Sequence, residues 1–162
     1  MAAPYVVPSI EIVAARPDDD AAPSMLAALG VELVERYGGE EADQALPLDP
    51  AALAAPWGAF FVARLDGTVI GCGGLRHLEP GVGELLRIWV EPAARRRGVG
   101  RALVGALEEA AAGLRYRSVR LETGLRQPEA IRLYEGAGYR QIPRYGRWAD
   151  SPLSVCFEKV LR

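Results

Sequence analysis

The sequence is poor in the residues that usually announce special chemistry. It has one histidine, His77, one lysine, Lys159, and two cysteines, Cys72 and Cys156, in 162 residues. The cysteines form no Cys-x-x-Cys pair and fit neither a disulfide scaffold nor a zinc site, so buried free thiols and no metal are expected. Neither has an evident activating base, and no other residue stands out as a covalent nucleophile. No Gly-Lys-Ser/Thr occurs, which excludes a Walker A phosphate loop. Residues Met1 to Ser9 lack a basic region and a long apolar run, so no signal peptide is expected. No apolar stretch is long enough to span a bilayer. The net charge is only −2, which gives the molecule no electrostatic reason to seek nucleic acid or an anionic membrane. A cytoplasmic protein is the expectation.

Repeats, low-complexity tails and internal linkers are also missing. One domain over residues 1–162 is expected, long enough to bury a real core. Ser9 to Ala15 alternates as a strand should. Asp18, Asp19 and Asp20 offer caps for a helix whose apolar spacing runs from Met25 to Tyr37, with Gly38-Gly39 stopping it. Residues 40–56, punctuated by Pro47, Pro50 and Pro56, read as a short helix plus loop. Ala59 to Leu65 and Thr68 to Leu75 flank Asp66-Gly67, a strong hairpin signal. Glu79-Pro80-Gly81 turns the chain into a central strand from Glu84 to Val90.

From Val99, the residues Val99, Leu103, Leu107 and Ala110 share one helical face, which Gly113 closes. A strand from Ser118 to Thr123 follows. A helix opens at Gln127-Pro128, and Gly138 ends it. Tyr139 to Ile142 and Leu153 to Leu161 read as two final strands. The order mixes antiparallel pairing with one βαβ crossover, a mixed α+β class.

The crossover carries the most informative segment. A strand ends at Val90-Glu91-Pro92, and Arg95-Arg96-Arg97-Gly98-Val99-Gly100-Arg101 then opens a helix. Glycines let the backbone approach a bulky ligand, and the N–H groups of a helix start favour an anion. Together with four arginines this describes a site for a phosphate-bearing ligand. Arginine supplies every positive side chain but Lys159, so an arginine alone is not read as functional.

Arg95-x-x-Gly98-x-Gly100 resembles the main motif of the GNAT superfamily of N-acetyltransferases, Arg/Gln-x-x-Gly-x-Gly/Ala. Gln127-x-x-Ala130-x-x-Leu133-Tyr134-x-x-x-Gly138-Tyr139 resembles its second motif, with glutamine where asparagine is usual and tyrosine where phenylalanine is usual. Order and separation also match, and the resemblance covers residues 58–160. It implies a twisted mixed sheet of about seven strands flanked by about four helices. The sheet should splay open between strands 84–90 and 118–123, with acetyl-coenzyme A in the split. The pantetheine is expected along the backbone of Ile88 and Val90. The pyrophosphate is expected on the loop formed by Arg95, Arg96, Arg97, Gly98, Val99, Gly100 and Arg101. Gln127 and Tyr134 complete the cofactor contacts.

The same resemblance assigns roles. Tyr134 is the expected general acid for the departing thiolate, since a tyrosine holds its proton at neutral pH. Glu84 is the expected general base, directly or through water, with His77 or water alone as alternatives. Arg87 is a candidate for an acceptor carboxylate. Trp57, Trp89, Tyr145 and Trp148, with Arg144 and Arg147, are candidates for an acceptor pocket. The implied reaction is direct attack of a primary amine on the thioester in a ternary complex. A small-molecule amine is preferred over a protein N-terminus or lysine, and the last strands offer a possible homodimer edge. Two rivals share the loop. A non-catalytic acyl-CoA sensor would not depend on Glu84 or Tyr134. A dinucleotide-binding domain would use Glu122, but Leu103 stands where its third glycine belongs.

Overall fold

Asp66 and Gly67, both in left-handed conformation with φ of 50° and 79°, give the tight turn between strands β2 (Ala59–Leu65) and β3 (Thr68–Glu79). In this computed structural model residues 9–19, 21–39 and 49–162 are described. Strand β1 (Ile10–Ala14) pairs antiparallel with β2, and helix α1 (Ala22–Tyr37) lies between them in sequence. Strand β4 (Val82–Val90) returns antiparallel along β3. Helix α2 (Val99–Gly113) then crosses to β5 (Ser118–Gly124), which runs parallel to β4. Helix α3 (Pro128–Gly136), strand β6 (Arg140–Ile142) and strand β7 (Ser154–Val160) complete the order.

The seven strands form one mixed sheet in the order β1-β2-β3-β4-β5-β7-β6. The last strand therefore inserts between β5 and β6, antiparallel to both. The expected class and strand number hold. Three α-helices occur among the described residues, where about four were expected. Of the short helix expected within 40–56, residues 40–48 lie outside the described set. The described remainder holds a single 3-10 turn, Pro50–Leu53, whose start is capped when the Asp49 carboxylate accepts from the Ala51 N–H at 2.9 Å. The aspartate cap expected for α1 is not used among the described residues. Its N-cap is Ala21, without a side-chain bond, and Pro23 occupies the first turn where a missing N–H costs nothing.

Alternation along each strand assigns the two faces of the sheet. Leu85 of β4, with Val119 and Leu121 of β5, packs against Val104, Leu107 and Ala111 of α2 and against Tyr134 of α3. On the opposite face Phe60, Val62, Cys72 and Trp89 pack against Ala22, Met25 and Leu29 of α1. Leu103 and Leu107 are fully buried, each contributing roughly 1.5–3 kcal/mol.

The seam between β4 and β5 is short. Their parallel pairing covers Val82↔Ser118, Gly83↔Val119 and Glu84↔Arg120 and stops there. Beyond it β4 carries a bulge. Its register against β3 slips between Cys72↔Trp89 and Gly74↔Leu86, and Arg87 takes a positive φ of 58°. An inserted residue bends a strand and sharpens its twist, so β4 leans away from β5 over its second half. The sheet is splayed between the two strands where the family resemblance implied an opening.

Candidate active site

The parted strands leave a cleft of about 510 Å³ that passes through the sheet. Leu29, Leu33 and Tyr37 of α1 line it from one face, and Ala130 and Tyr134 of α3 from the other. Its walls are the second halves of the two strands, Glu84 to Ile88 on β4 and Glu122 to Gly124 on β5. The loop before β7, including Arg147, Trp148 and Asp150, covers the remaining side.

Tyr134 is buried at 7% exposure, its ring edge-on to Tyr139 at 5.8 Å and beside Phe157 at 6.2 Å. Burial raises its phenol above the ordinary tyrosine range, and the nearby charge of Glu122 adds to the rise. The hydroxyl therefore keeps its proton at neutral pH, as a general acid must.

Glu84 and Glu122 lie on the same face of the sheet, one on each wall. Glu84 is only 4% exposed. Its Oε1 accepts from Nε and Nη2 of Arg76 at 2.9 and 2.5 Å, and its Oε2 accepts from the Tyr145 hydroxyl at 2.8 Å. A carboxylate held this way has both oxygens engaged. Glu122 is in a different state. Burial pushes its carboxyl up to about 7, and the charge of Glu84 acts in the same direction; a hydrogen bond with Ser154 and the charge of Arg147 only partly oppose the rise. A group poised near neutrality can take a proton and release it.

At the other end of β4, the loop before α2 has two residues of positive φ, Arg96 at 64° and Gly98 at 80°. Gly98 is the N-cap, in the left-handed conformation that glycine adopts without a Cβ penalty. The first α-helical bond there runs from the Ala102 N–H to the Gly98 carbonyl, at 3.0 Å. The N–H groups of Val99, Gly100 and Arg101 thus precede the helical ladder, at a helix start whose dipole favours an anion. Arg96 and Arg97 are exposed beside them.

The Acetyltransferase (GNAT) family model matches residues 26–139. The chain belongs to the GNAT family of acetyltransferases. An IAA acetyltransferase of Azospirillum brasilense is 35% identical over 158 residues, covering 96% of this chain and 100% of that protein. A solved Klebsiella pneumoniae structure, provisionally classed as an acyl-CoA N-acyltransferase, superposes with a TM-score of 0.78 at 30% identity. It covers 94% of this chain and 98% of its own. A PaiA N-acetyltransferase from Thermoplasma acidophilum, solved in complex with coenzyme A, shares the fold with a TM-score of 0.71 at 17% identity. That match covers 94% of this chain and 99% of the other. The chain is thus an acyltransferase.

Within this GNAT frame the structure sorts the residues singled out from sequence. Glu84, Arg87, Ile88, Gln127, Tyr134, Arg147 and Trp148 all line the cleft. Gln127 is the N-cap of α3, and its Oε1 accepts from the Tyr37 hydroxyl at 3.1 Å. That bond ties the end of α1 across the cleft to the start of α3. It needs Gly124, where a Cβ would overlap the Tyr37 phenol. Arg36 reinforces the tie through Glu129 and the Arg126 carbonyl.

Other expectations are redirected. The Arg95 guanidinium is engaged away from the pyrophosphate loop. It makes a bidentate pair with Glu32 of α1 at 2.9 and 2.7 Å and donates to the Val90 carbonyl at 2.9 Å. Trp89 is core rather than pocket, and its indole N–H also reaches Glu32, at 2.8 Å. Arg101 donates to the Gly136 carbonyl of α3 at 2.9 Å. His77 and the exposed Trp57 stand together outside the cleft, their ring centroids 6.5 Å apart, with Tyr116 beyond. Cys72 and Cys156 are free and buried, and burial pushes the Cys72 thiol up to about 12. Both therefore stay protonated and poorly nucleophilic. Arg144 donates to the Ser151 carbonyl and braces the loop before β7.

Sequence reasoning noticed Glu122 only as the acid of a rejected dinucleotide site. The available signal was its alternation with Leu121 and Thr123, which puts it on the face opposite the apolar core.

Proposed function

We propose that the protein transfers the acetyl group of acetyl-CoA to a primary amine of a small molecule, by direct attack in a ternary complex. The observation that carries this reading is the parting of β4 from β5 with Tyr134 and Glu122 on one cleft. Acetyl-CoA enters from the α2 and α3 face. Its pantetheine runs along the backbone of Ile88 and Val90, which the splay leaves without a β5 partner. Its pyrophosphate lies over the N–H groups from Arg96 to Arg101, in the field of the helix start. The acceptor enters from the α1 face, against Leu29, Leu33 and Leu86.

The chemistry then needs three proton movements. The acceptor ammonium gives a proton to Glu122, directly or through water, and the amine lone pair attacks the thioester carbonyl. The C–S bond breaks, the N–C bond remains, the nitrogen gives its second proton to water to leave a neutral amide, and Tyr134 gives its proton to the departing thiolate and regains one from solvent. Here the role that sequence assigned to Glu84 passes to Glu122, because both Glu84 oxygens are already occupied. Glu84 fixes the wall and raises the basicity of its neighbour. Binding is tested by calorimetry with acetyl-CoA, and turnover by thiol titration of released coenzyme A over a panel of amines. Amine-dependent thiol release supports the proposal. Tight acetyl-CoA binding with no release over any amine would favour a sensor instead.

A further inference from the structure

Helix α1 lies across the opening between the parted strands and is fastened on both sides of it. On the β4 side, Glu32 accepts from the Trp89 indole at 2.8 Å and pairs with Arg95 at 2.7 Å. On the β5 side, the last turn of α1 meets the loop between β5 and α3. Tyr37 donates to Gln127 Oε1 at 3.1 Å, and its oxygen accepts from the Arg126 N–H at 3.1 Å. Arg36 and Arg126 each donate to the other's backbone carbonyl at 3.0 Å, and Arg36 also pairs with Glu129. The Arg126 guanidinium lies 5.6 Å from the Tyr37 ring centroid. Strand pairing between β4 and β5 ends at Glu84 and Arg120, so on this face the bridge between the two walls runs through α1.

Leu29, Leu33 and Tyr37 are four residues apart, share one face of α1 and all line the cleft. Tyr37 is also next to the proposed base. Its phenol is seated against Gly124, where a Cβ would overlap it. Gly124 and Glu122 are two residues apart on β5 and so face the same side of the sheet. Burial raises the Tyr37 phenol above the ordinary range, and the charge of Glu122 acts in the same direction. A loose ring would swing aside for a bulky acceptor at little cost. A ring held by its hydroxyl and on its face cannot, and forcing an extra methyl against it costs what overpacking costs.

We infer that Tyr37 is a specificity-determining residue: pinned beside Glu122 by Gln127 and Arg126, its ring bounds the space around the acceptor nitrogen, so that the protein takes primary amines borne on an unbranched carbon and turns away those with a substituent there. This rests on the acetyl-transfer reading above, with the amine facing Glu122. The apolar wall of Leu29, Leu33 and Leu86 then receives the body of the acceptor, and Tyr37 restricts its shape next to the nitrogen.

Two matched pairs of amines test the inference: propylamine with isopropylamine, and benzylamine with 1-phenylethylamine. The members of each pair are similar in basicity and differ by branching at the carbon that bears nitrogen. Coenzyme A release gives kcat/KM for each. The ratio of unbranched to branched member is then compared between proteins, which cancels the intrinsic hindrance of the branched amine. The wild type should favour the unbranched member. Tyr37→Ala should lower that ratio about 10-fold or more, the scale on which a pocket discriminates one carbon. Tyr37→Phe keeps the ring and removes both hydrogen bonds of the hydroxyl, so it should lower the ratio about 5-fold. It also decides the question if Tyr37→Ala does not fold. The same ratio in all three proteins would overturn the inference while leaving acetyl transfer intact. A fall in Tyr37→Ala with none in Tyr37→Phe would overturn the pinning through Gln127 and Arg126. Thiol release over none of these four amines would overturn the inference, with acetyl transfer kept by release over another amine. Release over no amine at all, with acetyl-CoA bound, would overturn the transfer reading and this inference with it.

Discussion

The two walls of the cleft each present one carboxylate to it, and they treat it in opposite ways. On the β4 wall Glu84 is nearly inaccessible and carries a salt bridge from Arg76 and a hydrogen bond from Tyr145. On the β5 wall Glu122 has lost water without gaining a matching cation contact, and its carboxyl rises to about 7. Residue type and strand position are similar. The difference lies in what the rest of the fold brings to each. A carboxylate with its partners built in becomes part of the scaffold, whereas one left desolvated beside a reactive space stays available for chemistry.

The comparison breaks most sharply at Tyr134, the proposed acid between the two walls. Tyr134→Phe keeps the ring packed on Tyr139 and Phe157 and removes the proton. We expect kcat to fall by roughly 10² to 10⁴ with acetyl-CoA affinity little changed by calorimetry. Wild-type turnover under chemistry-limited conditions would leave Tyr134 a packing residue.

Glu122→Gln is the next largest. A loss of about 10² in kcat/KM is expected at neutral pH, together with loss of an inflection near pH 7 that the wild type should show. Stability supplies a second readout. The folded carboxyl binds its proton more tightly than the ordinary value of 4.5. Stability due to this group is therefore full below about pH 4.5 and is lost as pH rises through about 7. Above that pH the variant should be the more stable protein, by on the order of 2–3 kcal/mol in denaturant titrations.

Glu84→Gln sharpens the contrast from the other wall. It leaves Arg76 without its counter-charge, so a lower melting temperature is expected, with about 10-fold loss in kcat/KM. The inflection near pH 7 should survive, shifted downward because a negative neighbour of Glu122 is gone. If Glu84→Gln abolished the inflection and Glu122→Gln kept it, the two roles would be exchanged.

Glu32→Ala should affect turnover least. Three donors, Arg95, Arg36 and the Trp89 indole, converge on this carboxylate and hold it down to about 2. The stability it contributes is present above pH 4.5 and is lost as pH falls toward 2. Removing it at neutral pH should cost about 2–4 kcal/mol in urea unfolding, because Arg95 and Trp89 keep their donors and lose the acceptor. An unchanged midpoint would show that this buttress between α1 and β4 is ornamental.

Much of the fold was legible because its signals are local. Asp66-Gly67 fixes a hairpin within four residues. The glycines and arginines from 95 to 101 mark a helix start, and the Leu133-Tyr134 spacing marks a second helix whose face meets the core. What escaped were partnerships between distant residues. The Arg95 guanidinium, expected at the cofactor loop, is taken by Glu32, 63 positions away. Glu84, expected as the base, is clamped by Tyr145, 61 positions away. Trp89, a candidate for the acceptor pocket, is core because α1 folds over it.

The sequence by itself determined the order of the elements, the hairpin, the glycine loop that opens α2 and the tyrosine that α3 carries, since each follows from backbone preference and apolar period over a few residues. The tertiary structure alone decided that β7 slips between β5 and β6 and that β4 and β5 part beyond Glu84 and Arg120. It also decided which of two glutamates is clamped by Arg76 and Tyr145 and which is raised toward neutrality. Those outcomes depend on which side chains meet after the chain has closed on itself, and on how much water each meeting excludes, and no local pattern carries that information.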